Sequence, residues 1–134
     1  MGLNLDGSGL TVRIWDGGAI QGSHTEFQNL GNTASRVTNI EAINTDGTTD
    51  WSTHATHVTG TISAKGVSPS AKGMATAILT RNYNFNNDTS EMVVEVNNST
   101  IPMYLSNHSY GIPINQSGGT QLDPWRMGAY TADA

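Results

Sequence analysis

One short run constrains this chain more than any other. Leu10 to Trp15 (LTVRIW) is rich in β-branched and aromatic residues and is bracketed by Gly9 on one side and Asp16-Gly17-Gly18 on the other. It predicts a strand that ends in a turn. Alternation follows. Arg36 to Ile40 is a second, weaker strand. Thr53 to Ala64 is a helix, because Ala55, Val58, Thr59 and Ile62 share one helical face. Ser52 or Thr53 is placed to cap that helix, and Gly66 and Pro69 to end it.

Gly73 to Tyr83 contains MATAIL followed by TRNY, which predicts a strand. Asp88-Thr89-Ser90-Glu91 has the spacing of a capping box and predicts a helix from about Thr89 to Asn97. Met103 to Ser106 (MYLS) is a short apolar strand, and Asp123-Pro124-Trp125 opens a last helix that runs to the end of the chain. Gln21 to Ser35 and Ile112 to Pro124 read as long loops. The alternation predicts an α/β fold, a parallel β-sheet flanked by helices and joined by right-handed crossovers. In such sheets sites lie beyond the carboxyl ends of the strands.

Composition removes several function classes. Lys plus Arg number 6 against 11 Asp plus Glu, a net charge of −5, so no clustered cations await a phosphate backbone and nucleic acid is not an expected partner. No stretch approaches the roughly 18 apolar residues of a membrane-spanning helix. Cysteine is absent, which excludes disulfides and thiolate chemistry. The opening MGLNLDGSG has neither the basic start nor the apolar core of a signal peptide.

Three polar clusters fall where an α/β sheet places its chemistry. Asp16 ends the first strand beside two glycines, which let another backbone approach closely; taken alone it is also an ordinary turn residue. His54-Ala55-Thr56-His57-Val58-Thr59-Gly60-Thr61 opens the first helix, with His54 in the first turn and His57 three residues on. Gly60 lies mid-helix, at a cost of about 1 kcal/mol relative to Ala, which suits a close neighbour. Two histidines at this spacing can share a metal ion, but the Glu of a zinc-protease helix is absent and no metal site is expected. Ser109-Tyr110-Gly111 follows the MYLS strand, as an extended segment able to pair with a peptide.

Together these segments resemble one family, the subtilisin-like serine proteases. The eight residues from His54 match that family's His-Gly-Thr-His-Val-Ala-Gly-Thr at six of eight positions. VRIWDGG stands where the family has a strand ending in Asp-Ser/Thr-Gly, and His24-Thr25-Glu26-Phe27 is similar to its His-Pro-Asp-Leu. Ser109-Tyr110-Gly111 resembles its substrate-binding Ser-Leu-Gly, and the match runs from about Gly9 to Gly111. The resemblance implies Asp16 and His54 as catalytic residues, with Ser109, Tyr110 and Gly111 binding a protein or peptide substrate. It implies a secreted parent, with any targeting segment upstream. It also implies that residues 1–134 are the N-terminal part of a larger, truncated catalytic domain. The nucleophilic serine and the oxyanion-hole Asn would then follow later, in the missing C-terminal half, since no Gly-Thr-Ser segment follows Tyr110. No cofactor is expected. The family's structural calcium is not assignable here, because Glu26 stands where the family has Asp. Gly17 and Ala55 are further departures, the first removing a hydroxyl beside the carboxylate and the second adding a methyl after the histidine. The competing reading is a non-catalytic peptide-binding or scaffold module on the same fold.

Overall fold

The computed structural model describes residues 5–41 and 50–111. Four strands form one sheet: β1 (Thr11–Asp16), β2 (Val37–Asn39), β3 (Leu79–Asn84) and β4 (Leu105–His108). Their order is β2-β3-β1-β4, and every adjacent pair is parallel. Two helices, α1 (Thr53–Ser63) and α2 (Asp88–Val96), alternate with the strands. The chain is therefore α/β. The helix expected from Asp123 lies outside the described residues.

The central strand explains the layering. Successive side chains of a strand point to opposite faces. Val12 and Ile14 join Ile20, Phe27, Ala55 and Ile78 in the apolar core under α1. Arg13 and Trp15 face the other way, where Arg13 Nε donates to Glu95 at 2.8 Å and the Trp15 indole N–H donates to Glu91 at 2.9 Å, both acceptors on α2. All four of these β1 side chains are buried. β1 thus turns an apolar pair, Val12 and Ile14, toward α1 and a hydrogen-bonded pair, Arg13 and Trp15, toward α2.

This layering corrects the expected handedness. The connections through α1 (β2 to β3) and α2 (β3 to β4) cross the sheet in the same direction, yet the helices cover opposite faces. The two crossovers therefore have opposite hands, whereas about 98% of such connections are right-handed.

Three local expectations also shift. MATAIL is not a strand: Met74 to Ala77 form bends and turns, and β3 starts only at Leu79. The donors that a ladder would need are already committed, Met74 and Ala75 N–H to Thr61 and Ile62 of α1 and Ala77 N–H to Asp6. The MYLS strand moves two residues on, to Leu105–His108, because Arg13 captures the segment before it through the carbonyls of Ile101 and Pro102. The capping box does not form. A 3-10 turn, Phe85–Asn87, leads directly into α2, whose N-cap is Asn87 without a side-chain bond, and Glu91 is turned to Trp15.

Candidate active site

Asp16 is the last residue of β1 and belongs by alternation to the Val12–Ile14 face, the one covered by α1. The same face receives His54, in the first turn of α1. Residues 38 apart in sequence thereby meet: His54 Nδ1 lies 2.9 Å from Asp16 Oδ1 and 2.9 Å from Oδ2. The partners differ in environment. The Asp16 side chain is 3% exposed, while that of His54 is 59% exposed. Gly17 N–H donates to Asp16 Oδ1 at 2.7 Å, so the buried carboxylate is held at both ends.

The loop after β1 sets this geometry. Gly18 has φ +139°, a conformation that favours glycine, and a Cβ there would lie 3.2 Å from the Cβ of Ser52. Close approach lets Ser52 N–H reach Ala19 O at 2.7 Å and Ala19 N–H reach Asp50 O at 3.3 Å. Ser52 then caps α1, its hydroxyl accepting from Ala55 N–H at 3.0 Å. The expected capping serine and the glycine-permitted close approach are both present.

Two asparagines absent from the sequence reading lock this loop. Asn39 accepts from Ile20 N–H at 2.9 Å and donates to Ile20 O at 2.8 Å. Asn82 Nδ2 donates to Gly18 O at 2.9 Å and to Asn39 Oδ1 at 3.1 Å. An asparagine at a strand end reads locally as a turn former, so only the strand pairing exposes this role.

His57 does not touch Asp16. It is exposed rather than turned into the body of the domain. With His24, Phe27, Gly60 and Met74 it lines a groove of about 370 Å³ that neither Asp16 nor His54 borders. Gly60 is not explained by close packing, since a Cβ there would meet nothing within 4 Å. Glu26 is not available to a metal: its carboxylate accepts the backbone N–H groups of Gly66, Val67 and Ser68 at 2.7, 3.0 and 2.9 Å. Burial pushes the pKa of this carboxyl up, but the three donors, with His24 nearby, outweigh it and hold it below the usual range. Among the described residues no group of three or more His, Cys, Asp or Glu is arranged to hold a metal ion.

Ser109, Tyr110 and Gly111 leave the carboxyl end of β4, directly beside β1. The register pairs Trp15 with His108, so Ser109 follows on β4 as Asp16 follows on β1. His108 stacks on Trp15 with centroids 5.1 Å apart and planes within 5°. Tyr110 is fixed by its hydroxyl, which donates to Asp88 Oδ2 at 2.5 Å and lies 3.0 Å from His108 Nδ1. The Tyr110 hydrogen bond pulls the Asp88 carboxyl below its ordinary range, and burial together with Asp88 pushes the Tyr110 phenol up. Phe85 packs against Tyr110 at 5.2 Å, completing an aromatic wall. The structure thus gathers Asp16, His54 and residues 109–111 at the carboxyl edge of one sheet.

A carboxylate on Nδ1 fixes the imidazole tautomer that leaves Nε2 as the basic nitrogen, and it stabilises the imidazolium that forms when Nε2 takes a proton. No hydrogen bond to Nε2 is made among the described residues. The arrangement suits general acid–base chemistry on a group presented from outside the described residues. No protein-family model, curated protein or solved structure matches this chain.

Proposed function

We propose that this chain supplies the acid–base half of a subtilisin-like serine endopeptidase. The observation that carries the proposal is the bond between His54 Nδ1 and both oxygens of the buried Asp16, with the other side of the imidazole exposed. His54 acts as general base toward a serine hydroxyl, then as general acid toward the leaving amine. Asp16 orients the ring and balances its charge. The segment 109–111 aligns a peptide beside the dyad by backbone pairing. The nucleophile belongs to sequence beyond residues 1–134, in keeping with the family motifs quoted above. A secreted parent follows from the same resemblance.

The test is expression of the continuous reading frame that extends this chain, assayed on casein and on a chromogenic peptide ester. A fluorophosphonate probe that reacts with activated serines provides a second readout. Hydrolysis and labelling that both disappear in His54→Ala are expected. The 134-residue chain alone should show neither. A reading frame with no downstream serine segment would overturn the peptidase proposal and leave a peptide-docking module in its place.

A further inference from the structure

We propose that Asp88, the first residue of α2, is a positioning residue for the segment 109–111, which it holds beside the Asp16–His54 dyad through the Tyr110 hydroxyl. This role rests on the reading of 109–111 as the partner of a peptide substrate. The segment has few ties of its own. The named ladder of β4 on β1 ends at His108, so all three residues lie past the strand. Ser109 Oγ accepts from Asn107 Nδ2 at 2.9 Å, a bond within the same stretch of chain. A Cβ on Gly111 would meet nothing within 4 Å. Among the described residues, Tyr110 is the one member whose side chain bonds another element.

The Tyr110 hydroxyl donates to Asp88 Oδ2 at 2.5 Å. With that proton committed, the phenol oxygen can only accept from His108, 3.0 Å away, which places a proton on His108 Nδ1. His108 is itself stacked on Trp15 of β1. The acceptor is an ionised one, because the Tyr110 bond holds the Asp88 carboxyl below its ordinary range, and charge-assisted bonds of this kind are short and strong. Asp88 Oδ1 accepts from Thr89 N–H at 2.6 Å, so the carboxylate is anchored to the helix.

Phe85 joins this latch to the dyad. One side of its ring packs on Tyr110 at 5.2 Å. It also lies over Gly17, where a Cβ would stand 3.1 Å from Phe85 Cε1. Gly17 N–H in turn holds the Asp16 carboxylate. Two departures from the family motifs quoted above therefore meet at one ring. Gly17 in place of Ser or Thr makes room for Phe85, and Tyr110 in place of Leu supplies the hydroxyl that reaches Asp88.

The test uses the continuous reading frame, with a peptide long enough to lie along 109–111. Asp88→Ala and Tyr110→Phe are each expected to raise KM for that peptide about tenfold, the scale of a lost hydrogen bond to a charged group. The loss should fall on KM rather than kcat, and should shrink as the substrate is shortened to a single-residue ester. The double variant should be no worse than either single one, since both remove the same bond. Asp88→Asn, whose amide oxygen still accepts from the phenol, should recover part of the loss. Titration of the peptide into the 134-residue chain, followed by the amide NMR signals of Ser109, Tyr110 and Gly111, reads the same weakening without turnover. Unchanged KM and affinity in both single variants, additive losses in the double one, or a loss in kcat equal for peptide and ester would each overturn the latch while wild-type hydrolysis upholds the peptidase reading. Peptide binding without hydrolysis, weakened in both variants, would support the latch and sink the peptidase reading. A peptide that is neither cleaved nor shifts those amides would overturn both.

Discussion

A side chain on Gly18 would strike Ser52: the two Cβ positions would be 3.2 Å apart, at a backbone φ of +139°. The start of α1, and so the position of His54, depends on that close approach. Gly18→Ala is therefore expected to lose about 1–2 kcal/mol of stability. Because the strain falls where Ser52 caps the helix, the ¹⁵N shift of His54 Nδ1 should move as well. Thermal denaturation and imidazole NMR check both effects. A variant with unchanged Tm and an unchanged His54 signal would show that the loop adjusts freely.

In a chain that includes the nucleophile, His54→Ala should lower kcat on the order of 10⁶, the scale of a lost triad histidine. Asp16→Asn should lower it by about 10⁴, because an amide favours the wrong tautomer while preserving shape. His57→Ala should leave kcat within a few-fold of wild type, since His57 lies on the surface away from Asp16. Steady-state kinetics on a peptide ester separate the three outcomes.

Glu95 sits between two cations. It is buried, it accepts from Arg13 at 2.8 Å, and it bonds Arg81 at 3.2 Å. Arg13 itself is 0% exposed. Removing the carboxylate leaves that guanidinium buried without its counterion, so Glu95→Ala should cost about 3–5 kcal/mol. Urea denaturation of the variant measures this. A loss under a kilocalorie would mean that the carbonyls of Ile101 and Pro102 suffice to hold Arg13.

Acid should act through Glu26. Its carboxyl is held below the ordinary range in the fold, so its stabilisation is complete above the unfolded value and disappears as pH falls through the folded one. Glu26→Gln should be less stable than wild type at neutral pH, and the gap should close on acidification toward pH values below the carboxylate range. Melting curves across pH 7 to pH 2 follow it. A gap independent of pH would assign the loss to shape alone.

Tyr104 and Leu105, at 72% and 47% exposure, mark a sheet edge where β4 has no second neighbour among the described strands. Such edges template association. At micromolar concentrations the 134-residue chain should elute ahead of a 14.2 kDa monomer. Leu105→Lys should restore monomeric behaviour in size-exclusion chromatography.

Much of this arrangement was legible in the residues. The LTVRIW strand, the Ser52-capped helix and the order of Asp16 before His54 are local signals, and alternation along β1 puts Asp16 on the same face as Val12 and Ile14, although which helix covers that face is not a local signal. The misread segments share a cause. MATAIL is apolar enough for a strand, but its N–H groups bond α1 and Asp6, and Ala75 and Ile78 bury themselves from a turn. Asp88 and Glu91 have capping-box spacing, yet the Trp15 indole competes for Glu91 and takes it. The Asn39–Asn82 pair had no signal at all, because the two residues become neighbours only once β2 and β3 align. The crossover handedness was equally hidden, since it is a relation between both faces of a sheet.

The alternating faces of β1 carry one more implication, for length variation. Counting along the strand, even positions look toward α1 and odd positions toward α2. Inserting one residue between Arg13 and Asp16 would swing the carboxylate to the opposite face, toward Glu91 and Glu95, while the backbone ladder could still close. Two inserted residues would restore its facing but carry it about 6.6 Å along the strand, past the first turn of α1. Chemical competence in β1 is therefore a matter of parity and phase together. Insertions that leave Asp16 against His54 have to fall in the loops on either side of the strand.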